Sequence, residues 1–131
     1  FPAVVAQSPV AKACQMKFSD VLKEDTIHFN TASARITSAS LDVLKSLAAA
    51  AKACPDQKVE VRGHTDSVGN PAYNLDLSNR RAAAVVEALE TMGINRRRLS
   101  SKGFGETAPV APNDTPENRA KNRRIEFVVA D

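Results

Sequence analysis

The stretch KVEVRGHTDSVGNPAYNLDLSNRRAAAVVEALETMG, Lys58 to Gly93, changes its hydrophobic period once. At its start Val59 and Val61 alternate with Glu60 and Arg62, the period-two pattern of a strand with one buried face. From about Asn74 to Met92 the apolar positions Ala82, Val85, Val86, Leu89 and Met92 recur at helical spacing, and Gly93 stands where a left-handed residue closes a helix. Between the two lie Gly69 and Asn70-Pro71, which is turn chemistry. A strand that hands over to a long helix through a short polar turn is an α/β unit, and the rest of the chain reads outward from it.

Upstream, Thr26 to Phe29 places Ile27 and Phe29 on one side and His28 on the other, which predicts a first strand. Ser38 or Ser40 can cap the helix that follows, whose Leu41, Leu44, Leu47, Ala48 and Ala51 recur until Pro55 stops the run, with Cys54 at its exit. Phe1 to about Gln15 has no clean period and is broken by Pro2 and Pro9, so residues 1–24 read as an extended N-terminal arm and residues 25–131 as the domain. Downstream, a short third strand falls near Leu99 to Gly103. A loop rich in Pro, Asn and Asp then leads to a helical turn at Pro116 to Lys121, and Arg124 to Ala130 alternates as a last strand with Ile125, Phe127 and Val129 inward. The order predicts an α/β sandwich, β-α-β-α-β-(short α)-β, with helices packed on one mixed four-stranded sheet.

The chain has 131 residues, 43% of them hydrophobic and 25% charged, which is the length and balance of one domain able to bury a core. Only 5% of residues are aromatic and Trp is absent, so the core must be aliphatic and aromatic stacking platforms lose support. A net charge of +3 and a pI near 9.1 suit an anionic partner without demanding one. No run approaches the roughly 18 uninterrupted apolar residues of a membrane span. No span is therefore expected in this fragment, and any signal or anchor is expected outside it. Two cysteines, Cys14 and Cys54, stand 40 positions apart and never in a CxxC pair, so zinc and thioredoxin-type readings lose their spacing. A disulfide and two unrelated buried thiols both remain open.

Catalysis finds little to stand on. His64 lies two residues from Asp66, which suggests a base and its orienter, yet no GxSxG elbow, Walker A loop or GxGxxG after a strand supplies a nucleophile or a phosphate cradle. A metal on His64 and Asp66 lacks a third ligand, and no cofactor is expected. The basic runs Arg96 to Arg98 and Arg119 to Arg124 could contact phosphate. The second is interleaved with Glu106, Asp114, Glu117 and Glu126, as in locally paired surface, so nucleic acid is not the expected partner.

What remains is Gly63 to Ala82. If a helix begins at Asn74, then Asn74, Ser78 and Arg81 share one face. Asp66, at the tip of the preceding strand, would look towards the same helix start and its spare N–H groups. A carboxylate, a guanidinium and N–H donors around one hollow can receive a zwitterion, the amine on Asp66 and the carboxylate on Arg81. An Asp66–Arg81 salt bridge that merely pins strand to helix fits equally well.

On these residues the chain resembles the OmpA C-terminal-like, peptidoglycan-associating domain family. The family pattern TD-x2-G-x3-YN-x2-LS-x2-RA is met without a gap by Thr65, Asp66, Gly69, Tyr73, Asn74, Leu77, Ser78, Arg81 and Ala82. The similarity continues through GFGETAP, Gly103 to Pro109, and ENRAKNRRIEF, Glu117 to Phe127, and covers about Thr26 to Ala130. Asn118 stands where the family often has Gly, and Asn tolerates the left-handed region.

The resemblance implies non-catalytic binding of the peptidoglycan stem peptide through the side-chain end of diaminopimelate, which carries an amine and a carboxylate on one carbon. By that likeness Asp66 takes the ammonium and Arg81 the carboxylate, while Asn74, Asn30, Thr31 and Arg123 complete the pocket walls. Some family members carry a cysteine before the first strand and another after the first helix, which implies a Cys14–Cys54 disulfide and an oxidising, periplasmic or envelope location. The domain would then tether an envelope protein to the cell wall, attached to the outer membrane through a part outside this chain. The competing classes are a cell-wall hydrolase and a basic nucleic-acid-binding module.

Overall fold

A computed structural model describes residues 7–131. The strand read at Lys58 is its centre: β1 (Lys58–His64) lies between β2 (Leu99–Gly105), parallel to it, and β3 (Arg124–Ala130), antiparallel to it, in the order β2-β1-β3. The parallel pair needs a crossover, and α3 (Pro71–Thr91) supplies it. Two further helices, α1 (Pro9–Glu24) and α2 (Leu41–Lys52), pack against each other, and α1 also packs on β3. A short helix, α4 (Pro116–Asn122), precedes β3. Val59 and Val61 of β1, Phe127 and Val129 of β3, and Ala82, Val85, Val86 and Leu89 of α3 share one aliphatic core with Leu44 and Leu47 of α2. Gly93 closes α3 at φ 101°.

The sheet has three strands among the described residues, not the expected four. Residues 26–29 keep the predicted facing, with Ile27 buried, but make one bridge only, Phe29 with Ile36. Their backbone groups are used locally. The chain turns at Asn30 to Ser33 and returns on itself: Asn30 N–H donates to Arg35 O (2.9 Å), Thr37 N–H to His28 O (3.0 Å) and His28 N–H to the Ser40 hydroxyl (2.8 Å). Ser40 thus spends its side chain on this loop and does not cap α2, and nor does Ser38. Val43 joins the α2 core stripe, while Leu41 is 46% exposed.

The extended arm is also corrected. Its first part, residues 1–6, lies outside the described residues, but Pro9–Glu24 is helical. Proline at the first turn of a helix gives up an N–H that would have no partner there, so Pro9 starts the helix that it was expected to break. Ser8 caps it by accepting from Ala11 N–H (3.2 Å). Ala11, Cys14 and Phe18, at helical spacing, are buried, and the Phe18 ring stacks on Phe127 at 5.4 Å. The Gln15 amide donates to Phe127 O (2.7 Å) and accepts from Val129 N–H (2.9 Å), covering part of the β3 edge. A disulfide joins Cys14 to Cys54.

Helix α3 lies unusually close to the sheet because two strand positions have no side chain. A Cβ on Gly63 would sit 2.3 Å from Ser78 O, and one on Gly103 would sit 2.4 Å from Asn79 N. In return Gly105 N–H donates to the Ser78 hydroxyl (2.9 Å) and Gly103 N–H to Asn79 Oδ1 (2.7 Å). This seam sets the height of the first turns of α3, and so of Arg81, above the strand end that carries Asp66.

Candidate functional site

Strand β1 ends at His64, and Thr65 N–H donates to Gly105 O (2.8 Å), so the chain leaves the sheet in a defined direction. Asp66 follows, with 8% of the residue exposed. Its Oδ1 accepts from Val68 N–H (3.0 Å), and its Oδ2 accepts from Arg123 Nη1 (2.6 Å). The Asp66–Arg81 salt bridge, one of two readings open from sequence, does not form; Arg123 takes that place.

Asn70 and Pro71 start α3 three residues before the expected Asn74. Asn70 Oδ1 accepts from Ala72 N–H (2.8 Å) and Tyr73 N–H (3.2 Å), Pro71 has no N–H, and Asn74 N–H donates to Asn70 O (3.0 Å). The spare donors expected at the helix start are therefore already used. Asn74 itself is buried and turned to the loop, its Nδ2 donating to Val68 O (3.0 Å) and Asp66 O (3.4 Å). It braces the backbone around Asp66 and does not line the hollow.

Arg81 is fixed by neutral acceptors. Nε donates to Ser33 O (2.8 Å), Nη2 to Asn30 O (3.4 Å), and the guanidinium lies 4.9 Å from the Phe29 ring centre. Burial pushes the Arg81 guanidinium below its ordinary pKa; neighbouring Arg123 and Arg80 act in the same direction, against Tyr73 and Asp66. An arginine so perturbed still stays protonated. Its charge remains available.

Arg81 and Arg123 border one hollow of about 460 Å³ with Ile27, His28, Phe29, Thr31 and Ala32. Thr31 lines this hollow, whereas Asn30 contributes its carbonyl through Arg81. Ala32 turns the loop at φ 53° and accepts from the Tyr73 hydroxyl (3.2 Å). Asp66 reaches the hollow through Arg123. Behind it a cavity of about 20 Å³ shares Phe29, Arg81 and Arg123 and adds His64.

The NRR run divides three tasks. Asn122 is fully buried and holds the preceding loop, accepting from Val110 N–H (2.8 Å) and Ala111 N–H (3.1 Å) and donating to Ala111 O (2.8 Å). Arg123 meets Asp66. Arg124 donates to Glu126 Oε2 and Ala108 O, each at 2.8 Å. Asn118, helical within α4, uses its N–H on the Thr115 hydroxyl cap (3.1 Å) and needs no left-handed turn.

His64 does not face Asp66. Its buried ring stacks on Phe104 at 5.2 Å, and Nε2 lies 3.2 Å from Glu126 Oε1, at ion-pair distance but without hydrogen-bond geometry. The His64 contact first, and then Arg124, pull the Glu126 carboxyl down to about 2 against the opposing effect of burial. The first arginine run is structural in part. Arg98 donates to Ala51 O, Cys54 O and Gln57 O at 2.7 to 2.9 Å, closing the end of α2, and Arg96 donates to Leu99 O at 2.8 Å.

A model of the OmpA family matches residues 28–123. Peptidoglycan-binding protein ArfA of Mycobacterium tuberculosis (strain ATCC 25618 / H37Rv) is 40% identical over 103 residues, which are 79% of this chain and 32% of that protein. Outer membrane protein A of Bordetella avium is 37% identical over 125 residues, 95% of this chain and 64% of that protein. The chain therefore spans about a third of the first relative and under two thirds of the second. The crystal structure of the C-terminal domain of Helicobacter pylori MotB superposes with a TM-score of 0.74 at 31% identity, covering 82% of this chain and 84% of that one.

Proposed function

The chain belongs to the OmpA family, and we propose that it binds peptidoglycan without catalysis, through the diaminopimelate residue of the stem peptide, anchoring an envelope protein to the cell wall. One observation carries the reading: two guanidiniums, Arg81 and Arg123, border a single hollow of about 460 Å³, and the second of them is paired with the Asp66 carboxylate. The ligand ammonium goes to Asp66. The ligand carboxylate goes to Arg81, whose Nε already serves Ser33 O, so a two-pronged contact uses Nη1 and Nη2. Phe29 and the Asn30 carbonyl hold that fork, Thr31 forms the rim, Asn74 keeps the Asp66 loop in shape, and Arg123 borders both ligand charges.

Kinship with a protein named for peptidoglycan binding and with an outer membrane protein supports the ligand and a periplasmic or envelope location. The Cys14–Cys54 disulfide supports an oxidising compartment. Attachment to the outer membrane, through a part of the protein outside this chain, belongs to the same proposal.

A pull-down on purified diaminopimelate-type sacculi tests it. The wild type is expected in the pellet and Asp66→Ala and Arg81→Ala in the supernatant, with both variants retaining native circular dichroism. Truncating one partner of a desolvated charge pair costs about 2 to 5 kcal/mol in binding, roughly 30-fold or more. Normal retention of Arg81→Ala overturns the site, and release of soluble muropeptides during incubation overturns the non-catalytic reading.

A further inference from the structure

We propose that Arg123 is a specificity-determining residue: it holds the Asp66 carboxylate as an internal counter-ion and yields it only to a ligand that brings an ammonium and a carboxylate together. This rests on the ligand class proposed above and assigns the discrimination within that class to one contact.

The two guanidiniums of the hollow are not equivalent. Arg81 is pinned by the Ser33 and Asn30 carbonyls and by the Phe29 ring. Arg123 follows α4, its side chain is 47% exposed, and Asp66 is its one observed side-chain partner among the described residues. Asp66 is the opposite case, with 11% of its side chain exposed and both carboxylate oxygens engaged, Oδ1 by Val68 N–H and Oδ2 by Arg123. An incoming ammonium therefore reaches this carboxylate by displacing a guanidinium that is free to swing.

The charge balance of that exchange depends on the rest of the ligand. An amine alone, such as a lysine side chain, replaces one ion pair with another and leaves Arg123 unpaired in a hollow that already holds Arg81. Two cations then face each other without a counter-charge. A ligand with a carboxylate on the same carbon as its amine supplies the missing partner, so the displaced guanidinium and Arg81 close on it from two sides. The resting Asp66–Arg123 pair thus sets a threshold that a lone amine does not repay.

Titration calorimetry of the whole chain with two stem tripeptides, one ending in meso-diaminopimelate and one in lysine, tests this on the wild type, Arg123→Ala, Arg123→Gln and Arg81→Ala. The wild type is expected to prefer the diaminopimelate stem. Both Arg123 variants are expected to bind the lysine stem about two- to fivefold more tightly than the wild type does, the scale of a partly exposed ion pair released. Arg81→Ala relieves the repulsion between the two cations without freeing Asp66, and is expected to strengthen lysine binding less than either Arg123 variant does. Unchanged or weaker lysine binding in both Arg123 variants overturns the counter-ion role, as does equal strengthening in Arg81→Ala. Loss of the native near-ultraviolet signal in both Arg123 variants overturns it by making Arg123 a support of the fold. A wild type that binds neither stem overturns the ligand class itself, and the counter-ion role with it.

Discussion

Arg81 and Arg123 carry the same guanidinium and differ in what holds it. Backbone carbonyls orient Arg81 without cancelling its charge, so in the proposed binding mode it is the fork that meets the ligand carboxylate. Arg81→Lys keeps the charge but has neither the planar fork nor the Nε donor to Ser33 O. It is expected to lose about tenfold in affinity for the diaminopimelate stem while folding normally, and wild-type affinity in calorimetry would show that charge alone suffices. Glu126 is a second residue whose surroundings set its behaviour. Its folded pKa is pulled from 4.5 down to about 2, so the folded state binds fewer protons than the unfolded state between those values. The resulting stability is fully present above 4.5 and lost as pH falls towards 2. Glu126→Gln is therefore expected to be less stable than wild type at pH 6, with the gap closing by about pH 2 in urea unfolding. The gap is modest because the carboxylate is 36% exposed. A gap that does not change with pH contradicts the assignment.

Helix α3 against β1 and β2 is the element-scale device that turns sequence into a site. Gly63 and Gly103 let Ser78 and Asn79 reach the strand backbones, and three residues further on Arg81 arrives beside the loop that carries Ser33. In Gly63→Ala the new Cβ would lie 2.3 Å from Ser78 O, a backbone atom that moves only if the helix does. Overpacking of this kind costs roughly 1 to 3 kcal/mol, occasionally more, and lifting α3 also displaces Arg81. Chemical denaturation is expected to give a lower midpoint and sacculus binding to weaken; an unaltered midpoint would mean that the seam is not under such constraint. How legible each element is depends on where its information lies. β1, β3 and α3 are readable because a face buried against the core imposes its period on the residues themselves. The strand expected at Thr26 fails because alternation reports which side is buried, which holds for Ile27, but not whether the backbone pairs with a sheet or with its own return loop. Pro9 misleads because the same residue breaks a helix interior and begins a helix. At the site, Asp66 and Arg81 stand out by charge and motif. The Asn70 cap was signalled by Asn-Pro at a helix start, whereas the Asp66–Arg123 pair spans 57 residues and has no local trace.

At the scale of the molecule, the helix that sequence reading left out of the domain is tied to it covalently. Cys14 on α1 and Cys54 at the exit of α2 are 1% and 6% exposed, and the bridge closes 40 residues that include α2 and the loop forming one wall of the hollow. Phe18 on Phe127 and Gln15 on the β3 edge already dock α1, so the bridge acts mainly on the unfolded chain, whose freedom it restricts. In the chain-entropy model a loop of this length is worth about 4 kcal/mol. The double variant Cys14→Ala with Cys54→Ala is therefore expected to lose a few kcal/mol in urea unfolding, less any strain the native bridge carries, and still to bind sacculi under native conditions. No residue lining the hollow belongs to α1 or to the exit of α2, which is why binding should outlast the loss of stability. Native, never-reduced protein should show no free thiol on titration, and a buried bridge should resist dithiothreitol until the fold opens. Two titratable thiols in native protein would refute the bridge, and loss of binding in a variant that remains folded would mean that α1 helps to shape the site.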